Sequence, residues 1–268
     1  MNHGACVAGV GLLTGWGAGV DALPADAHSA AAGRAVLPLG RPPLDGDRFR
    51  RATRECLLGV AAVEAMLADA GLDRTAIRGE ATALLFVTAG AYAASNAQFV
   101  AGRSGTLHFP YTAPSALSGE VAIEFGLTGA YVILIGGAPA TVDALWQASR
   151  LLAEGRCERA LVLVVEIFEE CEALWRRARW TLPLPLVETT ACALLVAGPA
   201  PPTYRAAATP EPRELDVETR AGRTLAGAPL VGLALARAAG EATARLTGTW
   251  RGRTAAIELA LAGHATRV

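Results

Sequence analysis

Three groups of residues in this chain have types and spacing that could do chemistry: scattered thiols and imidazoles, a run of glutamates, and two glycine-rich turns after apolar runs. Cys6, Cys56, Cys157, Cys171 and Cys192 are odd in number and lack C-x-x-C spacing, so they read as reduced thiols. Of the histidines, His3 and His264 lie near the termini and His28 in a loop-like stretch, so a Cys-His or Ser-His pair would rest mainly on His108. A surface or core role fits each of them better. Glu166, Glu169, Glu170 and Glu172 have no histidine near them in sequence and read as a solvated face, not as metal ligands. All 24 basic residues are arginine, which excludes a Schiff base or a titratable lysine amine.

The first glycine turn has Gly9, Gly11 and Thr14 at the spacing of a dinucleotide fingerprint. Thr14 stands where close helix packing wants glycine, and no strand ending in an acid follows, so a nucleotide site is rejected. The second turn is more informative. The apolar run Tyr131 to Ile135 enters a helix through Gly136, Gly137 and Ala138, with Pro139 suited to its first turn. Such a junction presents backbone N–H groups to a negative ligand atom.

The elements around these turns follow from periodicity. Cys6 to Leu13, Ala83 to Thr88, Tyr131 to Ile135, Ala160 to Val165 and Thr190 to Ala197 are apolar runs of buried-strand type. Helical spacing covers Arg48 to Ala70, with Gly71 as its C-cap, and marks helices near Ser115 to Phe125 and Ala140 to Ala153. Gly19 to Asp47 is irregular, and prolines 199, 201, 202, 210 and 212 mark a connection. Beyond it, Pro229 to Leu246 reads as a helix and Thr254 to Leu261 as a final strand. Alternating strands and helices predict an α/β fold with a mainly parallel five-stranded sheet and helices on both faces. Residues 1–198 form the main domain, and 199–268 are too few for an independent one.

At 268 residues, 52% hydrophobic and 18% charged, the chain can bury a large core. Its net charge of -1 provides no broad positive field for nucleic acid or an anionic membrane. The uncharged stretches Ala81 to Gly102 and Phe125 to Val142 are broken by polar residues or by glycine and proline, so neither reads as a membrane span. No basic leader precedes the first apolar run, and the expected location is the cytoplasm.

The segment Gly126 to Leu145, with Phe109 to Ala116 upstream and Leu151 to Glu166 downstream, resembles the N-terminal half of the β-ketoacyl synthases. Val7 to Gly11, Ala65 to Asp73 and Thr189 to Val196 extend the resemblance over roughly residues 5 to 198. It implies a thiolase-like fold with a nearly complete N-terminal half. Thr224 to Ala236 and Gly252 to Leu259 look like a condensed remnant of the second half.

In that family a nucleophilic cysteine sits at the strand-to-helix turn, and the resemblance puts Ala138 there. An alanine methyl cannot form a thioester. The family's two histidines and lysine have no counterparts, so no catalytic residue, metal or cofactor is expected, and no independent activity. The chain is similar to degenerate chain-length-factor subunits of type II polyketide systems, in particular the shortened subunit of aryl polyene pathways. That resemblance implies a heterodimer with an active ketosynthase, and an acyl carrier protein as second partner. Phe109, Tyr111, Tyr131, Ile133, Ile135, Gly136, Gly137, Ala138 and Pro139 are the candidate tunnel or dimer-interface residues, and Arg176, Arg177 and Arg179 the candidate carrier contacts. Two other readings stay open. One is a stand-alone acyltransferase, hydrolase or decarboxylase using the Ala138 turn as an oxyanion hole; the other is a homodimeric carrier-binding scaffold.

Overall fold

The computed structural model describes residues 4–262 apart from 45, 51, 104, 179–183, 207–208 and 210–211. In chain order the elements are β1 (Gly4–Thr14), β2 (Gly17–Ala18), α1 (Ala27–Ala30), β3 (Val36–Leu37), α2 (Arg54–Ala70), β4 (Thr82–Thr88) and α3 (Ala93–Val100). There follow α4 (Pro114–Phe125), β5 (Tyr131–Ile135), α5 (Ala138–Ala153), β6 (Arg159–Glu166), α6 (Glu172–Ala178), β7 (Leu186–Val187) and β8 (Thr189–Gly198). The chain continues through β9 (Thr203–Arg205), α7 (Pro212–Ala221), α8 (Ala228–Ala238), β10 (Thr243–Trp250) and β11 (Arg253–Leu261).

The sheet has the order β10-β11-β1-β8-β6-β4-β5, with β2 on β1 and β9 on β11. Strands β4, β5 and β6 pair in parallel, whereas β8 runs antiparallel to both of its neighbours, β1 and β6. The five strands read from sequence are therefore adjacent, with one reversed, and the whole sheet is mixed. The reversal follows from the connection: Glu166 pairs with Thr189, so the chain leaves β6 and enters β8 at the same end, without a crossover.

Both faces of the central strands are covered, which is why they read as unbroken apolar runs. Leu161, Leu163 and Val165 of β6 join Leu84 and Phe86 of β4 in a core beneath α2 and α4. Ala160, Val162 and Val164 point the other way and pack with Val142 and Leu145 of α5 and Leu230 and Leu233 of α8. The glycines of the failed fingerprint serve this packing: a Cβ on Gly11 would lie 2.4 Å from the Met66 nitrogen of α2. Gly71 caps α2 in the left-handed region, at φ 66°.

Three expectations are corrected. Helix α2 begins at Arg54 and not at Arg48, a short 3-10 turn over Asp47–Arg50 preceding it. The proline-rich connection contains α7. The helix read over Pro229 to Leu246 stops at Ala238, because Gly240 turns the chain at φ 72° and its N–H is taken by the Arg237 carbonyl. From Thr243 the chain is strand β10, with Ala244 and Leu246 buried. Hairpin β10–β11 then packs against α5, as β4 and β6 do.

Glu188, fully buried between β7 and β8, ties the irregular segment to the core. It accepts both terminal nitrogens of Arg54, at 2.6 and 2.9 Å, and the backbone N–H groups of Leu39 and Phe168, at 2.7 and 2.9 Å. Arg54→Ala leaves this carboxylate buried without its cation, which is expected to cost about 3 kcal/mol. A urea titration monitored by circular dichroism checks it; an unchanged midpoint would refute the role of the pair.

Candidate functional site

Among the described residues β5 is the outermost strand and pairs only with β4, from Leu84 with Tyr131 to Thr88 with Ile135. Its five residues carry no charge. Val132 and Leu134 pack toward α5 and Ile133 toward α2, while Tyr131 and Ile135 are 45% and 51% exposed. The Tyr131 hydroxyl is held by Ser118 Oγ of α4. A cavity of about 350 Å³ lies beside Tyr131, lined also by Leu84, Gly119 and Ala122. Phe109, on a 3-10 turn before α4, is 61% exposed, its ring 5.5 Å from that of Phe99. Tyr111 is half-buried and donates to Glu120 Oε1 at 3.3 Å.

From Ile135 the chain turns at once into α5. The Gly136 N–H donates to the Thr88 carbonyl at 2.9 Å, Gly137 caps the helix, and Ala138 and Pro139 open it, both buried. The turn does not face an open site. A Cβ on Gly137 would lie 2.5 Å from the Trp250 ring, and one on Gly248 would lie 2.8 Å from the Ala138 Cβ. Strand β10 therefore rests directly on the start of α5. Its hairpin turn places Arg251 and Gly252 at φ 49° and 79°, as a two-residue I′ turn requires. Past that turn, Arg253 grips Asp143 of α5 with two nitrogens at 2.8 and 2.9 Å, and the Tyr204 hydroxyl of β9 donates to the same carboxylate at 2.7 Å.

Glu166, read from sequence as part of a solvated face, is fully buried at the end of β6. It accepts the Ala89 N–H at 2.6 Å, the Thr88 hydroxyl at 3.3 Å and the Ala226 N–H at 3.3 Å. Burial raises its pKa to about 8 despite these bonds, which favour the charged form. Glu169, Glu170 and Glu172 are exposed, as expected. Among the described residues no His/Cys/Asp/Glu cluster is fit to hold a metal.

The family model for the β-ketoacyl synthase N-terminal domain matches residues 42–182, just over half of the chain. The chain belongs to the β-ketoacyl synthase family. Its fold is that of the ketosynthases, and solved structures across the fold overlay it at low identity. A type II PKS acyl-carrier protein in complex with its ketosynthase bound to the hexaketide gives a TM-score of 0.72 at 14% identity, over 97% of this chain and 99% of that one. The ishigamide ketosynthase/chain length factor gives 0.67 at 16%, over 97% and 100%. A ketosynthase in complex with its chain length factor from Xenorhabdus doucetiae gives 0.61 at 13%, over 95% and 98%. Among curated proteins none matches the chain in sequence.

Within this ketosynthase fold the predicted site residues form two groups. Tyr131 to Pro139 run continuously from the open edge into the elbow, and Phe109 and Tyr111 stand on the turn before α4. Arg176 and Arg177 are exposed on α6, where Arg176 pairs with Glu172 one turn away; Arg179 lies outside the described residues. His28 and His108 are exposed, and His3 and His264 lie outside the described residues. Cys157 is buried in the connection between α5 and β6. The sequence reading missed Trp250, Gly248 and the buried role of Glu166. An aromatic residue just before Arg251-Gly252 was the one signal of a hairpin tip.

Two outcomes follow. Gly137→Ala and Gly248→Ala each push a methyl group into the β10–α5 contact and are expected to destabilise the fold by about 1–3 kcal/mol, read from denaturant midpoints. The pH dependence isolates Glu166. A glutamate in the unfolded chain ionises near pH 4.3, and Glu166 in the folded state near 8. Between these values the folded state holds the extra proton, so this contribution to stability is full below about pH 4.3 and is lost as pH rises toward 8. Glu166→Gln is expected to remove up to about 1.4 kcal/mol per pH unit of that decline. Melting curves from pH 5 to 8 check it, and parallel profiles for the two proteins would refute it.

Proposed function

We propose that this chain is a non-catalytic ketosynthase-like subunit of the chain-length-factor type. It pairs through β5 with an active ketosynthase and walls part of its acyl tunnel in type II polyketide or polyene, fatty-acid-like synthesis. The observation that supports the reading is the setting of Ala138: the residue that the family resemblance puts at the nucleophile's position is packed under β10, a few residues from an uncharged strand edge. The partner supplies the cysteine, the two histidines and the lysine. An unblunted apolar edge strand is a template for another strand. Tyr131 and Ile135 give that edge exposed apolar surface.

Two of the overlaid structures are ketosynthases described with a chain length factor, and another is an acyl-carrier protein with its ketosynthase. The exposed arginines Arg176 and Arg177 suit an acidic carrier protein. No described helix is long and apolar enough to cross a membrane, and the cysteines are free thiols, in keeping with a cytoplasmic location. A stand-alone acyltransferase, hydrolase or decarboxylase at the Ala138 turn is opposed by the strand packed over it.

Native mass spectrometry of the chain expressed alone and with a ketosynthase of the same organism tests the pairing. A 1:1 heterodimer is expected, and Ile135→Asp, which puts a charge on the edge, is expected to weaken it at least about tenfold. A stable homodimer that ignores the ketosynthase would support the scaffold reading instead. Within an intact heterodimer, Tyr131→Ala or Phe109→Ala is expected to shift product length, measured by mass spectrometry of the released chains.

A further inference from the structure

The hairpin tip closes the elbow through a small number of side chains. Trp250 lies on Gly137, Gly248 lies on Ala138, and Arg253 is anchored to Asp143 one turn further along α5. The Arg251 guanidinium stacks on the Trp250 ring, 4.6 Å from its centroid. Arg251 also holds a positive φ of 49°, a conformation disfavoured for a residue with a Cβ. The tip is therefore held down by side-chain contacts, while its own turn is strained. The Asp143–Arg253 pair is only part-buried, with Arg253 50% exposed, so the holding force is modest.

We propose that the β10–β11 tip is a latch, held shut over the start of α5 by Trp250, by the Arg253–Asp143 pair and by Glu214 of α7, which accepts the Thr249 N–H at 2.9 Å and the hydroxyls of Thr247 and Thr249 at 3.1 and 3.2 Å. It closes from within the space above the elbow, so access to position 138 is blocked independently of the residue that stands there. This goes beyond the loss of the nucleophile: replacing the alanine alone would not expose a reactive group. When the tip lifts, β10 withdraws from Ala138 and the turn opens to solvent.

Reporter thiols test the latch. Ala138→Cys is made in the full chain and treated with iodoacetamide, whose iodide is displaced by the thiolate, and each cysteine is followed by peptide mass spectrometry. The half-exposed Cys171 and the buried Cys192 are internal standards for open and closed thiols. The thiol introduced at position 138 is expected to react as slowly as Cys192. Adding Trp250→Ala is expected to speed its labelling at least about tenfold, and Asp143→Asn, which weakens the ion pair without making a cavity, about two- to fivefold, with Cys192 unchanged. An unchanged Cys192 rate also certifies that the variant is folded. Labelling of the single variant as fast as Cys171 would overturn the closure. A rate that neither Asp143→Asn nor Trp250→Ala raises would overturn the latch and leave a static core. Ketosynthase binding by the same variants, read by native mass, reports separately on the pairing, since the latch lies on α5 and β10 and not on the β5 edge.

Discussion

The close seating of strand β10 on the first turn of α5 is the contact on which the rest of this structure depends. It needs bare backbone on both sides, supplied by Gly137 and Gly248, and it lets the C-terminal hairpin pack against α5. With the hairpin in place, α5 and α8 have apolar neighbours on two sides and the shortened second half has a core to join. The same contact fills the space above the elbow. The completion of the fold and the covering of Ala138 thus share one physical cause.

That cause moves attention to the edge of the sheet. Ala138 is covered by Gly248 and Gly137 by Trp250, while among the described residues the outer edge of β5 is unpaired and uncharged. Natural edges are usually blunted by lysine, proline, a bulge or a covering loop. Here the nearest side chains are exposed aromatic and aliphatic ones.

Much of the fold is legible in the sequence because the central strands are covered on both faces and so appear as plain apolar runs. Strand β5 has the bounds that the run Tyr131 to Ile135 predicts, and α5 starts two residues before the expected Ala140. The stretch after Ala238 is less legible, since alanine and leucine fill a helix and a half-buried strand alike, and Gly240 is the signal that divides them. Glu166 misleads for a related reason. A carboxylate that closes an apolar run looks the same in sequence whether solvent or the backbone N–H groups of Ala89 and Ala226 receive it. Trp250 could not be placed over Gly137 from sequence, because that contact spans more than a hundred residues and depends on how the hairpin returns.

The most direct test of the central claim is turnover. Malonyl-loaded carrier protein is supplied to this chain alone, to a ketosynthase of the same organism that binds it, and to the two together. Elongated product from the pair, and none from this chain by itself, is the expected result. Elongation by this chain unaided, or by the ketosynthase equally well without it, would contradict the account.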